Sequence, residues 1–203
     1  LDHLEELWHG KVDTVKVQLA GPFTLAAEIE MANGHRMITD AGALRDLTDA
    51  LLEVCVGHRR DVEKRFGASV LQLDEPRLPE VVAGTLQGAT NFETIRAIPE
   101  PEETLAHFGE HLLHTPKLLD VPWLTTDPRR ADKDALARLL DAGTRIAIPT
   151  MQPRDLFRVF DELQIDPAET TVDVYAEPAK TLVGTATNYR AAREMAEALT
   201  VEV

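Results

Sequence analysis

A single cysteine, Cys55, stands among 203 residues. One thiol cannot close an internal disulfide, and thiol-poor chains fit a reducing compartment, so a cytoplasmic protein is expected. Aromatic side chains are scarce too, at 5%. A core must then come mostly from Leu, Val, Ile and Ala, which suits strands covered on both faces by helices. No apolar run approaches the roughly 20 residues needed to span a bilayer, so no membrane partner is expected. The opening residues lack a basic-then-apolar leader with a small-residue cleavage site, although Leu1 begins partway through a helical pattern and is not an initiator Met. Positive charge is short as well: 21 Lys and Arg against 35 Asp and Glu leave a formal net charge of -14. A nucleic acid would meet long-range repulsion and no basic stripe interleaved with aromatics, so the expected partner is a small molecule instead.

What is present is an alternation of helical and extended patterns. Val15 to Leu19 reads as a strand ended by Gly21-Pro22, with a helical turn or two from Phe23 to Met31. Asp40 to Arg65 reads as a long amphipathic helix with Leu44, Leu47, Leu51, Val54 and His58 on its stripe, stopped at Gly67. Ser69 to Leu73 is the next strand, closed by Asp74-Glu75-Pro76, and a polar connection follows. Further helices are expected at Glu102 to Glu110, Asp132 to Leu140, Asp155 to Leu163 and Asn188 to Leu199. Strands are expected at Leu112 to His114, Trp123 to Thr126, Arg145 to Ile148 and Thr171 to Tyr175. No repeat, linker or low-complexity stretch divides the chain, so residues 1–203 are read as one domain.

Strand-helix alternation implies a parallel sheet, because parallel strands need crossover helices. In such sheets the functional groups collect at the carboxyl ends of strands. The strand-end residues Gln18, Asp74, Glu75, His114, Asp127 and Glu177 are therefore the candidates. Six strands are fewer than the eight of a closed barrel, which takes about 250 residues, so the absent pair is expected before Leu1. The stretch from His114 to Trp123 is also shorter than the dozen or so residues that a crossover helix with its loops requires.

Gln72-Leu73-Asp74-Glu75-Pro76 carries the most chemistry. Two consecutive carboxylates at the mouth of a buried strand are costly to desolvate unless a cation, a substrate amine or a hydrogen-bond network compensates. The structural alternative is that Asp74 caps the following turn while Glu75 is solvated.

Val15-Lys16-Val17-Gln18-Leu19-Ala20-Gly21-Pro22-Phe23-Thr24-Leu25 and Leu71-Gln72-Leu73-Asp74-Glu75-Pro76, separated by one long helix, resemble consecutive segments of the catalytic barrel of the cobalamin-independent methionine synthase family. The related uroporphyrinogen decarboxylases share the Gly-Pro-x-Thr-Leu element. Glu177-Pro178-Ala179-Lys180-Thr181-Leu182-Val183-Gly184 looks like the family's last strand and loop, where Pro-x-Cys-Gly-Leu is usual. The resemblance implies a TIM-type (β/α)8 barrel whose N-terminal strands are absent from these residues. It also implies zinc-dependent methyl transfer from methyltetrahydrofolate to the thiol of homocysteine, with Asp74 holding the amino group. The substrate-binding set is then Gln18, Gln72 and Asp74, and the catalytic set Asp74, Glu75 and Lys180.

The zinc ligands depart from that pattern. The family's His-x-Cys pair is reduced to His114 with Pro116 two residues on, or in a poorer register His111 with Leu113, and Lys180 replaces the last-loop cysteine. Asp127 stands for the acidic ligand, leaving His114 and Asp127 as remnant metal ligands. A lysine ammonium where a thiolate belongs opposes a divalent cation at short range. Zinc is therefore expected to be lost, with methyltetrahydrofolate kept as the candidate methyl donor. The family's tryptophan after the Gly-Pro-x-Thr segment is missing as well; Ala26 and Ala27 occupy the region. Lys180 has two readings beyond a solvated or salt-bridged lysine: a fixed cation paired with Asp74 or Glu75, or a Schiff-base nucleophile. The expected ligand is a small amino acid or carboxylate, and two competing functions remain beside methyl transfer: a metal-free decarboxylase or lyase on the same barrel, and a non-enzymatic small-ligand binder.

Overall fold

The structure is a computed structural model that describes residues 1–90, 92–116, 119, 121–166, 170–175 and 181–201. Among the described residues the elements run α1 (Asp2–Trp8), β1 (Thr14–Ala20), α2 (Pro22–Glu28), α3 (Ala41–Phe66), β2 (Ala68–Asp74), α4 (Leu78–Ala83), α5 (Glu102–Ala106) and β3 (Leu112–His114). They continue through β4 (Trp123–Thr125), α6 (Lys133–Asp141), β5 (Arg145–Pro149), α7 (Pro153–Leu163), β6 (Val172–Tyr175) and α8 (Leu182–Val201). The chain divides into two compact units, Leu1–Lys117 and Leu118–Val203. Each unit is parallel α/β.

In the first unit β1 pairs in parallel with β2 from Thr14–Ala68 to Ala20–Asp74, and β2 pairs with β3 from Gln72–Leu112 to Asp74–His114. Side chains alternate across a strand, so this register sorts two faces. Val17, Leu71, Leu73 and Leu113 share one face and are buried. Gln18, Gln72, Asp74 and His114 share the other. Helix α3 begins where the Asp40 carboxylate accepts from the Ala43 N–H, and it ends at Gly67, whose φ of +105° suits a residue without a Cβ.

The buried stripe of α3 is not the one its leucines mark. Thr48, Cys55, Val62 and Phe66 are buried, Leu44, Leu47 and Leu51 are half-buried, and Val54 is 59% exposed. The stripe repeats every seven residues from Thr48 through Val62, and residues flanking that line collect the half-buried leucines. A further helix, α4, stands in the stretch read as a polar connection; Leu78 and Val81 bury its inner side. Helix α5 stops at Ala106 rather than Glu110, with Gly109 at φ +66° beyond it.

In the second unit β5 pairs in parallel with both β4 and β6. Ile146 and Ile148 pack with Leu136, Leu140, Leu156, Phe160 and Met195 into one cluster, with Val172 and Val174 against it. On the opposite face Arg145 donates two hydrogen bonds of 2.6 Å to Asp173 and lies 4.2 Å from the centre of the Trp123 ring. Helix α8 starts at Leu182, six residues before the expected Asn188. Among the described residues no helix is long and apolar enough to cross a membrane.

Leu73 is fully buried in β2. Leu73→Ala should cost about 2–5 kcal/mol in urea unfolding by loss of transfer energy and creation of a cavity. Val54→Lys, on the sequence-marked stripe but exposed, should change stability by less than about 0.5 kcal/mol. A large loss at Val54 would show that the leucine stripe, not Thr48 to Phe66, is the packed face of α3.

Candidate functional site

The carboxyl ends of β1 and β2 bring four polar side chains into one hydrogen-bonded chain. Lys16 Nζ donates to Gln72 Oε1 at 2.8 Å. Gln72 Nε2 donates to Asp74 Oδ1 at 2.6 Å, and Gln18 Nε2 donates to Asp74 Oδ2 at 2.5 Å. Both donors to Asp74 are neutral amides, so they orient the carboxylate without cancelling its charge. Gln72 is buried at 4% exposure, whereas Asp74 remains half-buried. The result is a fixed, partly accessible anion at the end of a strand, suited to an ammonium group. His114 sits beside Asp74 in the β2–β3 register and on the same face.

Glu75, one residue on, has the opposite environment. It is fully buried, and its oxygens accept from the Phe23 N–H at 2.9 Å, the Thr24 N–H at 2.7 Å and the Thr24 hydroxyl at 2.6 Å. The two backbone donors are the first free amides of α2. The N-cap position there is Gly21, which has no side chain to cap with, and the following Pro22 has no N–H. Glu75 supplies the missing cap from 51 or 52 residues away, and its carboxyl oxygens lie at the positive end of the helix. A Cβ on Gly21 would fall 2.7 Å from Glu75 Cγ, so only glycine leaves room for this approach. Backbone bonds close the same corner: the Gly21 N–H donates to the Asp74 carbonyl at 2.8 Å, and the Glu75 N–H to the His114 carbonyl at 2.9 Å. Burial pushes the Glu75 pKa up to about 7 against the pull of its three donors. Thr24 and Gly21 belong to the site through Glu75, a role that the Gly-Pro-x-Thr spacing alone does not reveal.

His111 is buried, and its Nδ1 lies 2.7 Å from the Gly109 carbonyl. A carbonyl only accepts, so Nδ1 carries the proton and Nε2 is an acceptor, with no partner among the described residues. Burial holds the His111 pKa below the usual imidazole range. In the second unit Asp127 follows β4. Arg129 Nε and Nη2 donate to its two oxygens at 2.9 and 2.8 Å, and the Arg129 N–H donates to Oδ1 at 3.1 Å. The hydrogen bonds from Arg129 hold the Asp127 carboxyl below its ordinary pKa. The Asp-Pro-Arg-Arg stretch offers a short return path for a guanidinium, the one sequence signal for Arg129. Glu177 and Lys180 lie outside the described residues.

Zinc would need thiolates or imidazoles around an open position. Cys55 is buried in α3, where burial raises its pKa and keeps it a thiol. Pro116 and Lys180 occupy the positions where the resemblance places cysteines. Among the described residues no three His, Cys, Asp or Glu side chains are grouped to hold a metal.

A parallel α/β architecture with polar side chains gathered at strand ends defines a class of small-molecule-binding folds rather than a particular activity. Residues 4–93, a little under half of the chain, match the family described as Cobalamin-independent synthase, Catalytic domain. That segment holds Gln18, Gln72, Asp74 and Glu75, and the match supports the family there; His114 and Asp127 lie beyond it. No curated protein matches the chain.

Gly21→Ala should destabilise the protein by about 1–3 kcal/mol through overpacking against Glu75. The pH behaviour of Glu75 gives a second check. Its folded pKa, about 7, lies above the ordinary 4.5, so the folded state binds the proton more tightly. Its contribution to stability therefore falls as pH rises between those values, by up to about 3 kcal/mol. Glu75→Gln leaves the Thr24 N–H facing an amide and removes that slope. The stability advantage of the wild type over Glu75→Gln should shrink from acid to neutral pH in urea melts; a difference that stays level would mean that folding leaves the Glu75 pKa unshifted.

Proposed function

We propose that the protein is a methionine-synthase-like methyltransferase relative on the plan of a TIM-type (β/α)8 barrel. In this reading the Asp74 carboxylate binds the ammonium group of a small amino acid, homocysteine being the reference acceptor and methyltetrahydrofolate the reference methyl donor. The supporting observation is the Gln18–Asp74–Gln72 arrangement, in which two amides hold a half-buried carboxylate at the end of β2. The family match over residues 4–93 supports the same reading.

Methyl transfer of this kind forms an S–CH3 bond while the N–CH3 bond of the folate breaks, and the thiol proton ends on the folate nitrogen. The chain's part is to bind and orient. Asp74 is prepositioned by Gln18 and Gln72, so little side-chain freedom is lost when an ammonium group arrives. Glu75 acts as a positioning residue: it fixes the β1–α2 corner, against which the backbone of Asp74 is bonded. A cytoplasmic setting belongs to the same proposal.

Calorimetric titration with homocysteine, with and without methyltetrahydrofolate, tests the reading. Asp74→Asn keeps the shape and removes the charge, and should weaken amino-acid binding by about 1.5–3 kcal/mol, roughly tenfold to a hundredfold. An unchanged affinity would take Asp74 out of the site, and methionine formation at the uncatalysed rate would remove methyl transfer.

A further inference from the structure

The second unit carries its own cleft, of about 510 Å3, at the carboxyl ends of β4, β5 and β6. Its polar lining comprises Asp127, Arg129 and Arg130 from the loop after β4, Thr150 after β5, Tyr175 at the end of β6 and Asn188 on α8. Among these described residues two guanidiniums face one carboxylate, in a chain whose net charge is -14. Asp127 is already engaged: Arg129 takes both its oxygens in a fork, and the Arg129 backbone N–H adds a third bond. Arg130 stays 3.7 Å from Asp127 with its side chain 87% exposed. Its backbone is held, since the Arg130 and Ala131 N–H groups donate to the Asp127 carbonyl at 3.0 and 3.1 Å.

We infer that this cleft binds a small molecule through a compact oxyanion, a carboxylate or a phosphate, received by the Arg130 guanidinium. A guanidinium presents a planar fork of donors that matches either group. A divalent cation is disfavoured at the same place, because it would have to displace Arg129 from Asp127 and meet the positive charges of Arg129 and Arg130 at short range. The overall negative charge of the protein slows the approach of an anion, so the local cationic lining must supply the attraction. This inference stands apart from Asp74 and from methyl transfer; failure of the homocysteine titration leaves it untouched.

The test is calorimetric titration of the full chain at low ionic strength with inorganic phosphate and, separately, with succinate. At least one should saturate at one per chain with a Kd below about 10 mM. Binding by succinate alone assigns a carboxylate source, and binding by phosphate alone a phosphate source. Arg130→Gln should weaken the binding by about tenfold or more. Asp127→Asn frees the Arg129 charge and keeps the oxygen that accepts from the loop, so binding should persist or tighten. No saturation with either probe, unchanged affinity in Arg130→Gln, or loss of binding in Asp127→Asn would overturn the inference. So would stoichiometric zinc uptake that Asp127→Asn abolishes.

Discussion

The corner of the first unit depends on one buried carboxylate. Glu75 satisfies the first amides of α2, which neither Gly21 nor Pro22 can cap, and it does so from the end of a different strand. Removing it would leave two backbone donors and a hydroxyl without acceptors in a closed space, a cost comparable with a large fraction of a domain's net stability. The requirement reaches back into the sequence: glycine at position 21 for clearance, proline at 22 where no donor is needed, and threonine at 24 to give a third bond.

Adjacent residues thereby divide two tasks. Glu75 is turned inward and used up in holding α2, whereas Asp74 shares its face with Gln18, Gln72 and His114 and keeps its charge within reach of solvent. A one-residue step along a strand reverses the side-chain direction, and this alone separates a structural carboxylate from one able to receive a ligand. The neutral amides around Asp74 are what preserve its electrostatic usefulness; an arginine there would have neutralised it, as Arg129 neutralises Asp127.

Much of this was legible in the sequence. The strands ending at Gly21-Pro22, Asp74-Glu75-Pro76 and Pro149 are marked by proline after an apolar run, and parallel pairing follows from the helices between them. Other features were not legible because they depend on partners distant in sequence. The compensation for two neighbouring carboxylates could have been a cation or a hydrogen-bond network, and the network at Glu75 involves residues more than fifty positions away. The packed side of α3 runs through Thr48 and Cys55, small residues that a search for leucines passes over. Helix α4, only six residues long and opening on Leu78-Pro79, lacks the turns that make periodicity visible.

The distance along the chain between α2 and its cap also bears on the order of folding. An isolated helix of seven residues is marginal in water, since nucleation is unfavourable and few bonds follow it. The carboxylate that completes α2 becomes available only after the 26-residue α3 has formed and returned the chain to the sheet. Helix α2 is therefore expected to order late, together with the β1–β2 pairing, so that substitutions within it should speed unfolding more than they slow folding.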